Sequence, residues 1–183
     1  MSVRGKVCFG RRNMPDALSK SPLEHAVELM VRHGVEFIII GGQAEVLFGG
    51  SRVTFDIDFC YRRTTDNLDR LAAALREIKP RLRGAPPDLP FLIDARALAL
   101  GSNFTLETSF GPFDLLGDLE PLGGYDELMR NVERYELGNH QINVIGLDDL
   151  IRIKQHIKRP RDQDSLLQLL AIKRVRAERG ELQ

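Results

Sequence analysis

Residues 35–61 read VEFIIIGGQAEVLFGGSRVTFDIDFCY, and this stretch decides the fold. It opens with Val35 to Ile40, a nearly continuous apolar run rich in β-branched residues, which predicts a buried strand. Gly41-Gly42 turns the chain, and Gln43 to Phe48 predicts a short helix closed by Gly49-Gly50. Phe55 to Tyr61 then alternates: Phe55, Ile57 and Phe59 fall on one face, Asp56, Asp58 and Cys60 on the other. The expectation is a second strand with its apolar face packed and its acidic face open.

Working outward, Ser21-Pro22-Leu23-Glu24 is a capping-box pattern with proline at the first helical position, and the apolar spacing predicts a helix over 22–33 stopped by Gly34. A second helix is expected from about Asp66 to Ile78, ended by Pro80, and residues 80–91 read as a loop. A short helix near 94–100 should precede strands over about 103–109 and 113–119, joined by a turn at Gly111-Pro112. Gly123-Gly124 opens another short helix, Gly138-Asn139 marks a hairpin, and the pattern from Leu147 onward is helical with a break near Arg159-Pro160. This order indicates an α+β fold with a mixed sheet flanked by helices. The expected organisation is a basic lead-in over 1–20, an α+β domain over 21–146 and a C-terminal helical segment over 147–183 packed on it.

Two carboxylates at i and i+2 on a strand project from one face and repel each other, a cost that a divalent cation reverses. Magnesium takes oxygen ligands, often one or two carboxylates plus substrate phosphates, so Asp56 and Asp58 suit Mg²⁺ (or Mn²⁺) held against a triphosphate. An isolated Asp-x-Asp also fits a solvated strand face. Gly41 and Gly42 allow backbone N–H groups to approach phosphates. Arg52 carries a planar fork for a phosphate oxygen, with a solvated loop arginine as its plain alternative, and Thr54 stands beside the pair. Asp114, within the apolar run Phe113-Asp114-Leu115-Leu116, is the first candidate for a third carboxylate, and Glu107 the second. Lys154 and Lys158 lie one helical turn apart near Arg159 and Arg161, and serve equally as a grip on a triphosphate or nucleic acid and as a solvated helix face. His156 reads as a surface histidine and Cys60 as packing at the sheet edge.

Gly41-Gly42-Gln43-Ala44, then Gly49, Arg52, Thr54, Asp56 and Asp58, resembles the signature of the nucleotidyltransferase superfamily with the polymerase-β-like fold. The closest likeness is to bacterial nucleotidyltransferases related to AbiEii toxins. Asp149-Leu150-Ile151, Lys154 and Arg159-Pro160-Arg161-Asp162 resemble that group's C-terminal helices. The resemblance implies transfer of a nucleoside monophosphate from an NTP to a hydroxyl on a protein, a tRNA or a small molecule, in a toxin–antitoxin setting. It implies nucleotide binding by Gly41, Gly42, Gln43, Arg52, Thr54, Lys154, Lys158 and Arg161. Metal binding and catalysis fall to Asp56, Asp58 and Asp114, the last as third ligand and base. Gln43 departs from the usual serine or threonine, and Phe48 stands where relatives often have histidine. Gln43 motivates the alternative, a non-catalytic nucleotide-binding or antitoxin-like protein on the same fold.

The bulk properties narrow the partners. Of 183 residues, 43% are apolar and 28% charged, with 26 basic and 26 acidic residues and a formal net charge of zero. Those values fit a globular domain and give no global attraction to a polyanion or a membrane surface. Two distant cysteines, Cys8 and Cys60, make no disulfide framework and no zinc spacing, so a reduced cytoplasmic setting is expected. Arg11-Arg12 lacks the hydrophobic region of a twin-arginine signal, and no run reaches the length of a membrane span.

Overall fold

A computed structural model describes residues 20–86, 89, 91–159 and 162–180. Residues 1–19 of the lead-in expected over 1–20, Arg161 and the last three residues therefore lie outside the described residues. The helices are α1 (Pro22–Arg32), α2 (Gly41–Leu47), α3 (Thr65–Ile78), α4 (Ala95–Leu100), α5 (Tyr125–Leu128), α6 (Leu147–Ile157) and α7 (Gln163–Glu178). The strands are β1 (Phe37–Ile39), β2 (Ile57–Tyr61), β3 (Arg81–Leu82), β4 (Asn103–Thr108), β5 (Gly111–Leu116), β6 (Glu133–Leu137) and β7 (His140–Val144). They form one mixed sheet in the order β3-β4-β5-β2-β1-β7-β6, so the α+β expectation holds. β2 runs antiparallel to β1 and parallel to β5, and β1 runs parallel to β7.

Local chemistry explains the boundaries. Ser21 and Glu24 complete the capping box on α1, and Gly34 leaves the helix at φ +66°. Asp94 caps α4 by accepting from Ala97 N–H at 2.7 Å. The core is aromatic at its centre: Phe37 lies 4.7 Å and Phe113 5.2 Å from Phe59, ring centroid to ring centroid. Ile57, Phe59 and Tyr61 are fully buried, and so are Phe113 and Leu115 on the neighbouring strand. By alternation, Asp58 and Asp114 take the opposite face of the sheet.

Several expectations need correction. β2 begins at Ile57, so Asp56 is not a strand residue and Phe55, 77% exposed, does not join the packed face. Pairing with β1 reaches only Phe59, opposite Ile39, and pairing with β5 begins at Ile57, opposite Phe113, so residues 55 and 56 have no ladder partner. Residues 81–82 are not loop but a short edge strand paired with β4. The β4–β5 turn falls at Ser109-Phe110, and Gly111 and Pro112 open β5. Pro112 is tolerated there because β2 reaches only as far as Phe113, leaving no ladder bond for the missing N–H to donate. Cys60 lies on the middle strand, fully buried, and not at an edge.

Candidate active site

Asp58 and Asp114 are register partners on the parallel pair β2–β5. Their side chains stand side by side on the face away from the aromatic core. Burial pushes the Asp58 carboxyl up to about 6, with the charges of Asp114 and Asp56 adding to the rise. The Gly42 N–H and the Arg83 guanidinium offset it in part. Asp114 is also raised, first by burial and further by Asp56 and Glu107, while Arg83 lowers it. The three carboxylates chosen from sequence thus feel one another, with Asp56 exposed at the loop end and Asp58 and Asp114 half-buried.

The glycine turn fits against this pair. Gly41 sits at φ +63°, and a Cβ on it would collide with the Asp58 carboxyl group. A Cβ on Gly42 would come 2.8 Å from Thr54 Oγ1. Gly41 is therefore set by close approach to Asp58, and Gly42 by close approach to Thr54. Gln43 has a role that the sequence did not reveal. Its Nε2 faces the carbonyls of Thr54 (3.5 Å) and Asp56 (3.3 Å), holding the approach to β2 where no strand partner is present.

Arg83 is the residue sequence reasoning missed. Its Nη2 donates to Asp114 Oδ1 at 2.7 Å, and its Nε lies 3.3 Å from Glu107 Oε1. Glu107, the second candidate for the third acid, is thereby placed on the far side of that guanidinium. Arg83 follows Pro80 and a two-residue strand, too short a segment to carry any periodicity. The only signal available was the charge of Asp114 within an apolar run, which demands a partner.

The basic residues divide. Arg52 pairs with Asp162 at 3.2 Å. Lys154 is buried, with Nζ 3.2 Å from Glu45 Oε2, 3.5 Å from Asp162 Oδ1 and 2.8 Å from Ser165 Oγ. Ser165 also hydrogen-bonds Glu45, which has no exposed surface and whose Oε1 lacks a partner. Lys154 therefore lies on no solvated helix face. Lys158, exposed in the left-handed region at the end of α6, and the exposed Arg159 border a hollow of about 450 Å³ whose lining also includes Lys154 and Asp162. His156 is half-exposed, 3.7 Å from Glu120. Among the described residues no three His, Cys, Asp or Glu side chains form a ready cation cage.

Comparison with solved structures places the fold. The lincosamide antibiotic adenylyltransferase LnuA, solved with lincomycin bound, superposes with a TM-score of 0.56 at 15% identity, over 82% of this chain and 96% of that one. The chain has the nucleotidyltransferase fold. TM1012 of Thermotoga maritima, a provisionally assigned nucleotidyltransferase, aligns at 13% identity over 80% of this chain and 93% of its own, with a TM-score of 0.47. No protein-family model and no curated protein matches the chain. No helix among the described residues is long and apolar enough to cross a membrane.

Proposed function

We propose that this chain transfers a nucleoside monophosphate from an NTP to a hydroxyl acceptor. The observation that carries the reading is the packing of the Gly41 turn directly on Asp58, itself the register partner of Asp114. Hard oxygen donors crowded by like charge suit a hard divalent cation. Asp56 and Asp58, with Asp114 as the third ligand, would hold Mg²⁺ or Mn²⁺ together with the substrate's phosphate oxygens. When bound, the cation neutralises the phosphates and the leaving pyrophosphate.

The chain's own residues do the rest. The backbone at Gly41 and Gly42 admits the triphosphate close to the acidic residues, and Gln43 and Thr54 keep Asp56 in place beside it. The acceptor oxygen forms a bond to the α-phosphorus, the bond from that phosphorus to the bridging oxygen of the β-phosphate breaks, and pyrophosphate departs. The acceptor's proton passes to Asp114, which its surroundings make a better base than an ordinary aspartate. Arg83, already on Asp114, balances charge as that carboxylate gains or loses its proton. Rate enhancement comes chiefly from positioning and charge complementarity.

LnuA acts on a lincosamide antibiotic, which supports a small-molecule hydroxyl as one acceptor class beside protein and tRNA. The AbiEii likeness favours a toxin–antitoxin context. The Arg83–Asp114 pair favours a second reading, a protein that binds nucleotide without transferring it, because the third acid is engaged. Binding of RNA through the basic C-terminal segment loses support from Lys154, whose ammonium group is buried.

Calorimetry of Mg²⁺-dependent NTP binding to wild type and Asp58→Asn, with pyrophosphate release measured across acceptor classes, tests the proposal. Binding lost in Asp58→Asn together with Asp58-dependent pyrophosphate supports transfer. Binding without pyrophosphate supports the second reading, and no binding at millimolar nucleotide sinks both.

A further inference from the structure

Helix α7 carries apolar residues on all sides, which is the pattern of a helix covered on more than one face. Its inner face, with Ser165 and Leu169 buried and Leu166 and Ile172 half-buried, packs on the rest of the chain. Its outer face is not covered. Leu167 is 66%, Leu170 40% and Val175 44% exposed, and Ala171 is exposed between them. Residues 164, 167, 170, 171, 174 and 175 share one stripe at helical spacing. The stripe is apolar in the middle, with Asp164 towards the N-terminal end and Arg174 towards the C-terminal end.

We propose that this stripe is the two-fold interface of a homodimer, with α7 packed antiparallel against α7 of a second copy. The charge pattern selects that occupant and that direction. A dyad beside residue 169 sets Asp164 opposite Arg174 of the second copy, and repeats the pair by symmetry. The same dyad sets Leu167 against Ala171 and brings Leu170 to the centre. Asp164 and Arg174 are ten positions apart, about 15 Å along the helix, so both pairs fall at the rim of the apolar centre. A parallel arrangement would stack like charges at each end. Arg174 also holds Glu178 at 2.9 Å, but that pair is highly exposed and one turn apart, a weak contact that leaves the guanidinium available.

Light scattering on the full chain at high micromolar concentration reads the answer. The expected mass is twice the 20.7 kDa of one chain. The double variant Leu167→Asp/Leu170→Asp should be monomeric with an unchanged circular dichroism spectrum. Asp164→Arg alone and Arg174→Asp alone should each weaken the dimer at least several-fold, more so at low salt, and the two together should restore it. A monomeric wild type overturns the proposal, as does a dimer that survives the double leucine variant. Single charge reversals without effect, or a combined variant no better than either, overturn the antiparallel pairing even where a dimer forms.

Discussion

Asp58 should destabilise the unliganded protein at neutral pH, and the size of that effect follows from its surroundings. Its carboxyl moves from the usual 3.8 to about 6 on folding, mainly through burial and then through Asp114 and Asp56. The folded chain therefore holds a proton between about pH 4 and pH 6 that the unfolded chain has released. Stability falls as pH rises through that window and stays reduced above it. A rise of this extent corresponds to about 3 kcal/mol, and partial exposure of the side chain lowers the expectation to roughly 2–3 kcal/mol. Asp58→Asn keeps the acceptor oxygen that faces Gly42 N–H and removes the charge. At pH 8, in the presence of a chelator, the variant should be more stable than wild type by roughly 2–3 kcal/mol, or about 4–12 °C in Tm for a chain of this length. Below about pH 4 the two should converge. Urea denaturation at both pH values, with the slope checked for constancy, supplies the measurement, and every titration shared by the two proteins cancels in the difference. Adding Mg²⁺ at pH 8 should stabilise wild type and leave Asp58→Asn nearly unchanged. A variant no more stable than wild type at pH 8, or an advantage independent of pH, would refute the account of Asp58 as a crowded, half-buried carboxylate.

Other perturbations address the surrounding parts. Gly41→Ala should cost at least about 2 kcal/mol, because it combines a left-handed backbone with a collision at Asp58; chemical denaturation checks this. Arg83→Ala removes the group that holds the Asp114 carboxyl down, so the acid limb of pyrophosphate release should move to higher pH in a pH–rate profile. Lys154→Met leaves Glu45 buried without its cation and should cost about 3–5 kcal/mol. Combining it with Glu45→Gln should recover most of that loss, and a double-mutant cycle reads the coupling.

The parts of the site legible in the sequence are those governed by short periodicities. Alternation around Ile57 and Phe59 placed Asp58 on the face opposite the aromatic core, and the apolar setting of Asp114 marked it as a charge in need of company. Gly41 was legible because few residues besides glycine follow a buried strand into such a turn. The start of β2 was not, since a strand end depends on its neighbours, and pairing with β5 begins only at Ile57, opposite Phe113. Arg83 stayed hidden because a two-residue strand has no pattern to read. Glu45 stayed hidden for another reason. A glutamate in a seven-residue helix looks solvated until the lysine that meets it arrives from 109 positions further along.

That long-range meeting ties the C-terminal helices to the chemistry. Helix α2 is only seven residues long, yet its first turn supplies Gly41, Gly42 and Gln43, and Glu45 follows one residue after Ala44. Gln43 fixes the carbonyls of Thr54 and Asp56, while Glu45 is gripped by Lys154 of α6 and Ser165 of α7. The loop between α2 and β2 is held from the same direction, through Ser51 to Gln168 at 3.0 Å and Arg52 to Asp162 at 3.2 Å. Asp56 has no ladder bonds of its own to keep it in register, so its position depends on these tethers. A shift of α7 by even a fraction of a helical turn would pull on Ser51, Arg52 and Glu45 together, and through Gln43 on Asp56. Substitutions at Gln168 or Asp162, remote in sequence from the acidic pair, should therefore act on nucleotide binding through the position of Asp56, with the packing of Asp58 against Gly41 left intact.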